Sequence, residues 1–242
     1  MSEPRRTLQS FVWGISFRGF AQEDLLPELY GLHLHERPFD AQFTTLPELD
    51  PEMHRLLSDL CRIPRMATFA IGAVLNWAVA ELPPQHAYVN VGVWNGFTFL
   101  AGCAENDDRR CVGVDDFSEF GGPREPFMTR FGRTRSARHE FHDMDYRRYF
   151  ADVHQGPIGV YLYDGSHEYE HQLQGLQAAE PFFTRGTRVF VDDTNLPSAR
   201  KATFEFIARS SFSYRVLFDL KTARNGHPTF WNGFLGLERD DG

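Results

Sequence analysis

Three observations predict a doubly wound α/β fold with a mostly parallel sheet. Short apolar runs near 87–93, 111–115, 138–142, 158–163 and 188–191 alternate with stretches of helical periodicity, the pattern of a parallel sheet covered on both faces. Two further runs, 214–220 and 230–237, have no helix between them, so they add an antiparallel edge hairpin and complete a seven-stranded sheet. Four strands end in carboxylates, at Asp115-Asp116, Asp143, Asp164 and Asp192-Asp193. In such a sheet these ends share one rim, where ligands bind.

The chain order justifies each element. The 242 residues suit one large α/β domain with an N-terminal extension, and 42% hydrophobic residues supply its core. Residues 1–63 read as an extension of loops and helix, a substrate cap or an oligomer contact; 64–242 read as the main domain. Residues 30–50 look like loop and short turns. Asp50-Pro51 starts a helix running to Arg62, with proline in the first turn. A second helix, Pro64 to Leu82, is apolar on more than one side, and Pro83-Pro84 stops it. Strand one then leads into a helix at 96–105 and strand two. An insert at 116–136 carries a short helix near 124–131, and Gly121-Gly122-Pro123 is either a lid hinge or an ordinary surface loop. Strand three meets a turn at Asp143-Met144-Asp145 and a helix at 146–153. Helix 168–182 spaces Leu173, Leu176 and Ala179 on one face, and helix 197–209 is expected to turn Phe204 and Ile207 inward. Asn225-Gly226 favours the final hairpin.

Composition excludes some partners. A net charge of −8 argues against nucleic acid, whose backbone needs clustered Lys and Arg. Arginines do gather between Arg124 and Arg138, as a solvated face or a contact to an anionic ligand. The 23 Phe suggest aromatic packing or a pocket for a flat group. Cys61, Cys103 and Cys111 have no paired spacing; the latter two sit in apolar runs and read as core thiols, which fits a reducing cytoplasm. The N-terminus lacks the pattern of a signal peptide, and Met66 to Leu82 is too short and interrupted to span a bilayer, so no membrane partner is expected.

The first strand ends in Gly92-Val93-Trp94-Asn95-Gly96, a glycine turn that lets backbone approach a ligand. Trp94, Asn95 and Thr98 are placed along this turn, with Phe97 and Phe99 in the core. Its spacing is not G-x-G-x-x-G, which disfavours a dinucleotide. A carboxylate after the next strand, Asp115 with Asp116 beside it, can take ribose hydroxyls. Sequential strands four and five are expected to be neighbours, bringing Asp164, Asp192 and Asp193 together. Bare carboxylates repel, and a hard divalent cation such as Mg²⁺ resolves that, with Asn195 as a further oxygen ligand. Helix caps with solvated carboxylates are the bland alternative. His167, three residues after Asp164, is either a general base or part of a helix start. His33 and His35 have no third ligand nearby for a metal site.

Together, Tyr88 to Leu100, Val114-Asp115, the run Tyr163-Asp164-Gly165-Ser166-His167-Glu168-Tyr169-Glu170 and Phe190-Val191-Asp192-Asp193 resemble the class I S-adenosylmethionine-dependent methyltransferases. The likeness covers about residues 64–237 and is nearest to the metal-dependent O-methyltransferases of sugars and other small molecules. It implies a Rossmann-like fold with Gly92 and Gly96 under the methionine part of S-adenosylmethionine and Asp115 at the ribose. It also implies Asp143 and Met144 near the adenine, and Asp164, Asp192 and Asp193 around Mg²⁺. Asp164 and His167 become the catalytic candidates. The family usually has an acid where this chain has Asn90, the position serving the cofactor's amino end.

Three readings follow. The first is Mg²⁺-assisted methyl transfer to a hydroxyl of a small-molecule acceptor such as a sugar, polyol or natural product. The second is an S-adenosylmethionine-binding module without turnover, motivated by Asn90. The third is a nicotinamide-dependent oxidoreductase, against which the glycine spacing and carboxylate rim weigh. The sequence leaves the acceptor unnamed and the oligomeric state open, a homo-oligomer included.

Overall fold

A computed structural model describes residues 7–18, 39–47 and 51–241. The Thr7 hydroxyl accepts the Ser10 N–H and the Ser10 hydroxyl side answers with a bond from the Thr7 N–H, a capping box that starts α1 (Leu8–Gly14). Ser16–Phe17 (β1) pairs antiparallel with Thr44–Thr45 (β2), which follows α2 (Phe39–Phe43). Pro51–Leu60 forms α3, proline leading as expected.

The next helix, α4 (Phe69–Ala80), starts later than the proline at 64 suggests. Thr68 caps it, accepting the Ile71 N–H. Ahead of it, Arg65 donates to the carbonyls of Cys61 and Ala67 and pairs with Asp40, which holds residues 61–67 as a corner. Nearly every α4 side chain is buried, as an all-round apolar helix requires.

The alternating part runs β3 (Ala87–Val91), α5 (Phe97–Cys103), β4 (Arg110–Asp115), α6 (Arg124–Thr134), β5 (His139–Asp143) and α7 (Tyr146–Arg148). A π-helical turn, Tyr149–Val153, continues α7. Then come β6 (Ile158–Tyr163), α8 (Tyr169–Ala179) with a 3₁₀ turn at Glu180–Phe182, β7 (Phe183–Val191), α9 (Pro197–Arg209), β8 (Tyr214–Leu220) and β9 (Phe234–Arg239). The seven-stranded sheet has the order β5-β4-β3-β6-β7-β9-β8, and only β9 runs against its neighbours. The chain order reverses between β3 and β6, so the carboxyl ends of these strands flank the crevice of a Rossmann-like fold.

Alternation along the strands feeds two apolar clusters. Tyr88, Val160, Leu162 and Phe190 face α4 and α5, while Val89, Tyr161, Tyr163 and Val189 face α8 and α9. Leu8, Phe11, Val12, Ala41 and Leu57 lie in the first cluster with Phe69 and Val74, so the N-terminal segment shares the core of the sheet domain. Many of the phenylalanines are spent under the insert, where Phe99, Phe117, Phe127, Phe131 and Phe141 pack ring to ring.

Some expectations need correction. On α9 the inward place belongs to Phe206, while Phe204 is 37% exposed beneath the Arg200 guanidinium. Ile207 is half-buried at the edge of the second cluster. β8 and β9 form the expected antiparallel hairpin, but its link is longer than expected. Phe230 and Trp231 belong to it, with a bridge between His227 and Trp231, so the final strand starts at Phe234 rather than Phe230. His33 and His35 lie outside the described residues. All three cysteines are buried and free. Among the described residues, no helix is long and apolar enough to cross a membrane.

Candidate active site

A cleft of about 950 Å³ opens at the carboxyl ends of the strands. Among the expected site residues, Gly92, Trp94, Thr98, Asp115, Asp116, Met144, Asp164, His167, Asp192 and Asp193 line it. Asn90, Asn95, Gly96 and Asp143 do not.

The glycine turn explains its own residues. Gly92 has φ +83°, and a Cβ there would fall 1.9 Å from the Asp164 carbonyl oxygen, so only glycine lets β3 pass β6 so closely. Gly96, at φ +99°, caps α5 in the left-handed region with the Phe127 ring against its α-carbon. It supports the turn from beneath. Asp115 braces the turn from β4: one oxygen accepts the Val93 and Trp94 N–H groups, each at 2.7 Å, and the other accepts the Phe117 N–H. Asp116, next along, is more exposed; one of its oxygens takes both the backbone and hydroxyl hydrogens of Ser118.

Asn90 is fully buried and satisfied within the protein, accepting the Tyr88 hydroxyl at 3.2 Å and donating to the Gly92 carbonyl at 2.9 Å. It fastens the strand to the turn instead of facing the cleft. Asn95 is turned away in the same manner, toward the Arg130 guanidinium. Asp143 ends β5 in an ion pair with Arg124 on the far side of the rim. Its neighbour Met144 does reach the cleft, together with Asp145, which caps α7 and pairs with Arg147. Over this half of the cleft hangs the loop 117–122, with Phe117, Phe120, Gly121 and Gly122 all at positive φ. The Trp94 indole N–H donates to the Phe120 carbonyl and ties the loop to the glycine turn.

The other half is the carboxylate floor. β6 and β7 are hydrogen-bonded neighbours, and their ends bring Asp164 and Asp192 together. Burial, reinforced by Asp193, pushes the Asp164 carboxyl well above the ordinary carboxylate range, and burial with repulsion from Asp164 does the same to Asp192. Asp193 is raised by burial too, opposed by His167. One oxygen each of Asp192 and Asp193 is buried with no hydrogen-bond partner. Asp193 sits at φ +55°, and its other oxygen is 3.6 Å from His167 Nε2. His167 Nδ1 meets the Gln172 amide oxygen at 3.2 Å. The three carboxylates do not gather within 4.8 Å of one another; among the described residues, the one trio of potential metal ligands that does lies elsewhere. Asn195 is no member of this floor, because its amide donates to the carbonyl and hydroxyl of Thr222.

Sequence reasoning missed Arg65, Met66, Phe120, Tyr146, Leu196, Ser198 and Trp231, all of which line the cleft. They come from loops or element ends far apart in sequence. Only the loop 117–122 left a signal, in its glycine pair.

This Rossmann-like fold is shared with solved O-methyltransferases. Residues 89–194, under half of the chain, match the family model described as a methyltransferase domain. An O-methyltransferase from Bacillus cereus, solved in complex with SAH, is similar over 89% of this chain and 100% of its own, at 12% identity and TM-score 0.59. Cofactor-bound Rv0187 from MTB is similar over 82% of this chain and 94% of its own, at 17% identity and TM-score 0.59. At those identities the likeness is one of fold. No curated protein matches the sequence.

Proposed function

We propose that this chain is an O-methyltransferase that moves a methyl group from S-adenosylmethionine to a hydroxyl of a small molecule with adjacent oxygens, assisted by Mg²⁺. The observation that carries the reading is the floor of Asp164, Asp192 and Asp193 beside the glycine turn. It holds two buried carboxylate oxygens without partners, and every donor is a hard oxygen, the set a magnesium ion takes.

Gly92, Val93 and Trp94 would hold the methionine part of the cofactor, Asp116 with Asp115 the ribose, and Met144 with Asp145 the base. Asp115 already accepts three backbone N–H groups, so Asp116 has the freer oxygen for a hydroxyl. When bound, S-adenosylmethionine supplies an activated methyl group, and Mg²⁺ supplies positive charge that favours an ionised acceptor hydroxyl. His167 would take that proton at Nε2, the nitrogen facing Asp193, with Gln172 steadying the ring through Nδ1. Methyl transfer otherwise demands alignment and a dry site. Leu196, Trp231 and Phe120 give the cleft its apolar walls.

The test is calorimetry with S-adenosylmethionine, with and without Mg²⁺, followed by turnover on sugars and polyols. Heat on cofactor binding and Mg²⁺-dependent product are expected; absence of heat in both conditions overturns the reading. Asp192→Ala should lower turnover by roughly 10²–10³-fold, the scale for losing a charge-stabilising group, and unchanged turnover would remove Asp192 from the site.

Asn90 favours a second reading, a cofactor-binding module without turnover. It offers no charge to the cofactor's ammonium group and spends both ends of its amide inside the protein. Tight cofactor binding in Asn90→Glu, with no product on any acceptor in either form, would select that reading.

A further inference from the structure

At the opposite end of the same strands, three side chains meet that the proposed reaction does not use. Cys111 and His139 are register partners on the adjacent parallel strands β4 and β5, so their side chains stand side by side on one face of the sheet. Cys103, the last residue of α5, packs onto the same spot. All three are buried, at 6%, 0% and 3% exposure for Cys103, Cys111 and His139. One ligand atom from each lies within 4.8 Å of the others.

We propose that Cys103, Cys111 and His139 form a structural zinc site that clamps helix α5 to strands β4 and β5. Tetrahedral zinc, with bonds of about 2.3 Å to sulfur and 2.0–2.1 Å to nitrogen, needs ligand atoms about 3.5–3.8 Å apart. Small side-chain rotations close a trio already within 4.8 Å.

The donor set selects the ion. Two thiolates and an imidazole are soft to borderline ligands, which suit Zn²⁺ and not Mg²⁺ or Ca²⁺. Two thiolate charges also cancel the charge of Zn²⁺, leaving a neutral unit in a buried place. The surroundings match those of a ligating histidine. His139 Nε2 lies 3.2 Å from the Asn106 carbonyl, the outer-shell bond that fixes a ring and its tautomer. Asn106 is itself anchored, its amide donating to the Gly102 carbonyl at 2.9 Å. Nδ1 then carries the lone pair, now receiving the Ser136 N–H at 3.2 Å, a bond that metal ligation would replace.

The test uses the full chain, stripped with chelator and then given an equimolar amount of Co²⁺. The expected result is thiolate-to-cobalt charge-transfer absorption together with the d–d bands of a tetrahedral site, both erased by Zn²⁺, and a melting temperature that rises with Zn²⁺. Cys103→Ser and His139→Gln should weaken zinc binding by more than about tenfold, beyond the least effect of losing an outer-shell partner. Asp192→Asn should keep the spectrum, because the carboxylate floor is a separate place. Wild-type protein without thiolate bands overturns the proposal however the variants fold. So do bands that survive in both Cys111→Ser and His139→Gln.

Discussion

Two groups of buried carboxylates in this protein have opposite surroundings. Asp40 is fully buried, and so is its partner Arg65: the guanidinium meets both carboxylate oxygens at 2.9 and 2.7 Å, and the Phe69 N–H adds a third bond at 2.8 Å. Asp192, with Asp193 beside it, is buried with an oxygen unpartnered and other carboxylates close by. The first arrangement is complete without any ligand and ties the N-terminal segment to the corner before α4. The second is incomplete, and under the proposed function a cation would complete it. A buried carboxylate with matched donors is a structural joint, whereas one left facing other carboxylates is a binding site in waiting.

The largest expected effect comes from breaking the complete pair. Asp40→Ala leaves Arg65 buried and uncompensated, and should cost about 3–5 kcal/mol in denaturant unfolding. A cost under about 1 kcal/mol, the value of a surface pair, would mean the joint is not structural.

A neutral buried histidine sharpens the contrast between satisfied and unsatisfied groups. His154 accepts the Tyr149 hydroxyl at Nδ1 and reaches the Gly156 carbonyl through Nε2. Burial lowers its pKa from 6.5 to about 4. The unfolded chain therefore takes up a proton that the folded one refuses. The stabilising effect is complete above pH about 6.5 and is lost as pH falls toward about 4, by about 3 kcal/mol at most. His154→Gln should flatten that part of the stability profile measured by chemical denaturation between those pH values; an unchanged slope would contradict it.

On the carboxylate floor the sign is reversed. The Asp192 carboxyl is raised, so its contribution is complete below the unfolded carboxyl range and is lost as pH rises. Asp192→Asn should stabilise the metal-free protein by roughly 1–2 kcal/mol near neutral pH, a gain in stability where function is given up. The gain should fade as pH is lowered toward about 4. Destabilisation at neutral pH would show that the floor is already satisfied. The smallest effect belongs to Phe120, 68% exposed on the loop above the cleft. Phe120→Ala should change stability by less than about 0.5 kcal/mol while raising KM for the acceptor; an unchanged KM would remove the loop from the acceptor pocket.

The fold was legible because its signals are local. Alternating strands and helices, proline at 51 and the paired prolines at 83–84 each mark an element from neighbouring residues alone. The carboxylate floor was legible for a topological reason: strands ending in Asp164 and Asp192 had to finish on the same rim if they were sequential neighbours. What stayed hidden depends on how side chains turn. Asn90 and Asn95 sit in the turn that lines the cleft, yet their amides find partners in Gly92 and Arg130 and face away from it. Asn195 follows Asp193 closely but is drawn off by Thr222. Asp115 was expected to serve a ligand and is largely occupied with the Val93 and Trp94 N–H groups. The meeting of Cys103, Cys111 and His139 needs the β4–β5 register, which spacing along the chain does not encode.

The central claim is that the unpartnered floor binds a cation next to the cofactor. Titrating Mg²⁺ by calorimetry into protein saturated with S-adenosylhomocysteine tests it most directly, with wild type and Asp192→Asn side by side. The account predicts saturable heat for wild type and none for Asp192→Asn, with S-adenosylhomocysteine binding intact in both. Equal heats in the two proteins, or no heat in wild type, would contradict it.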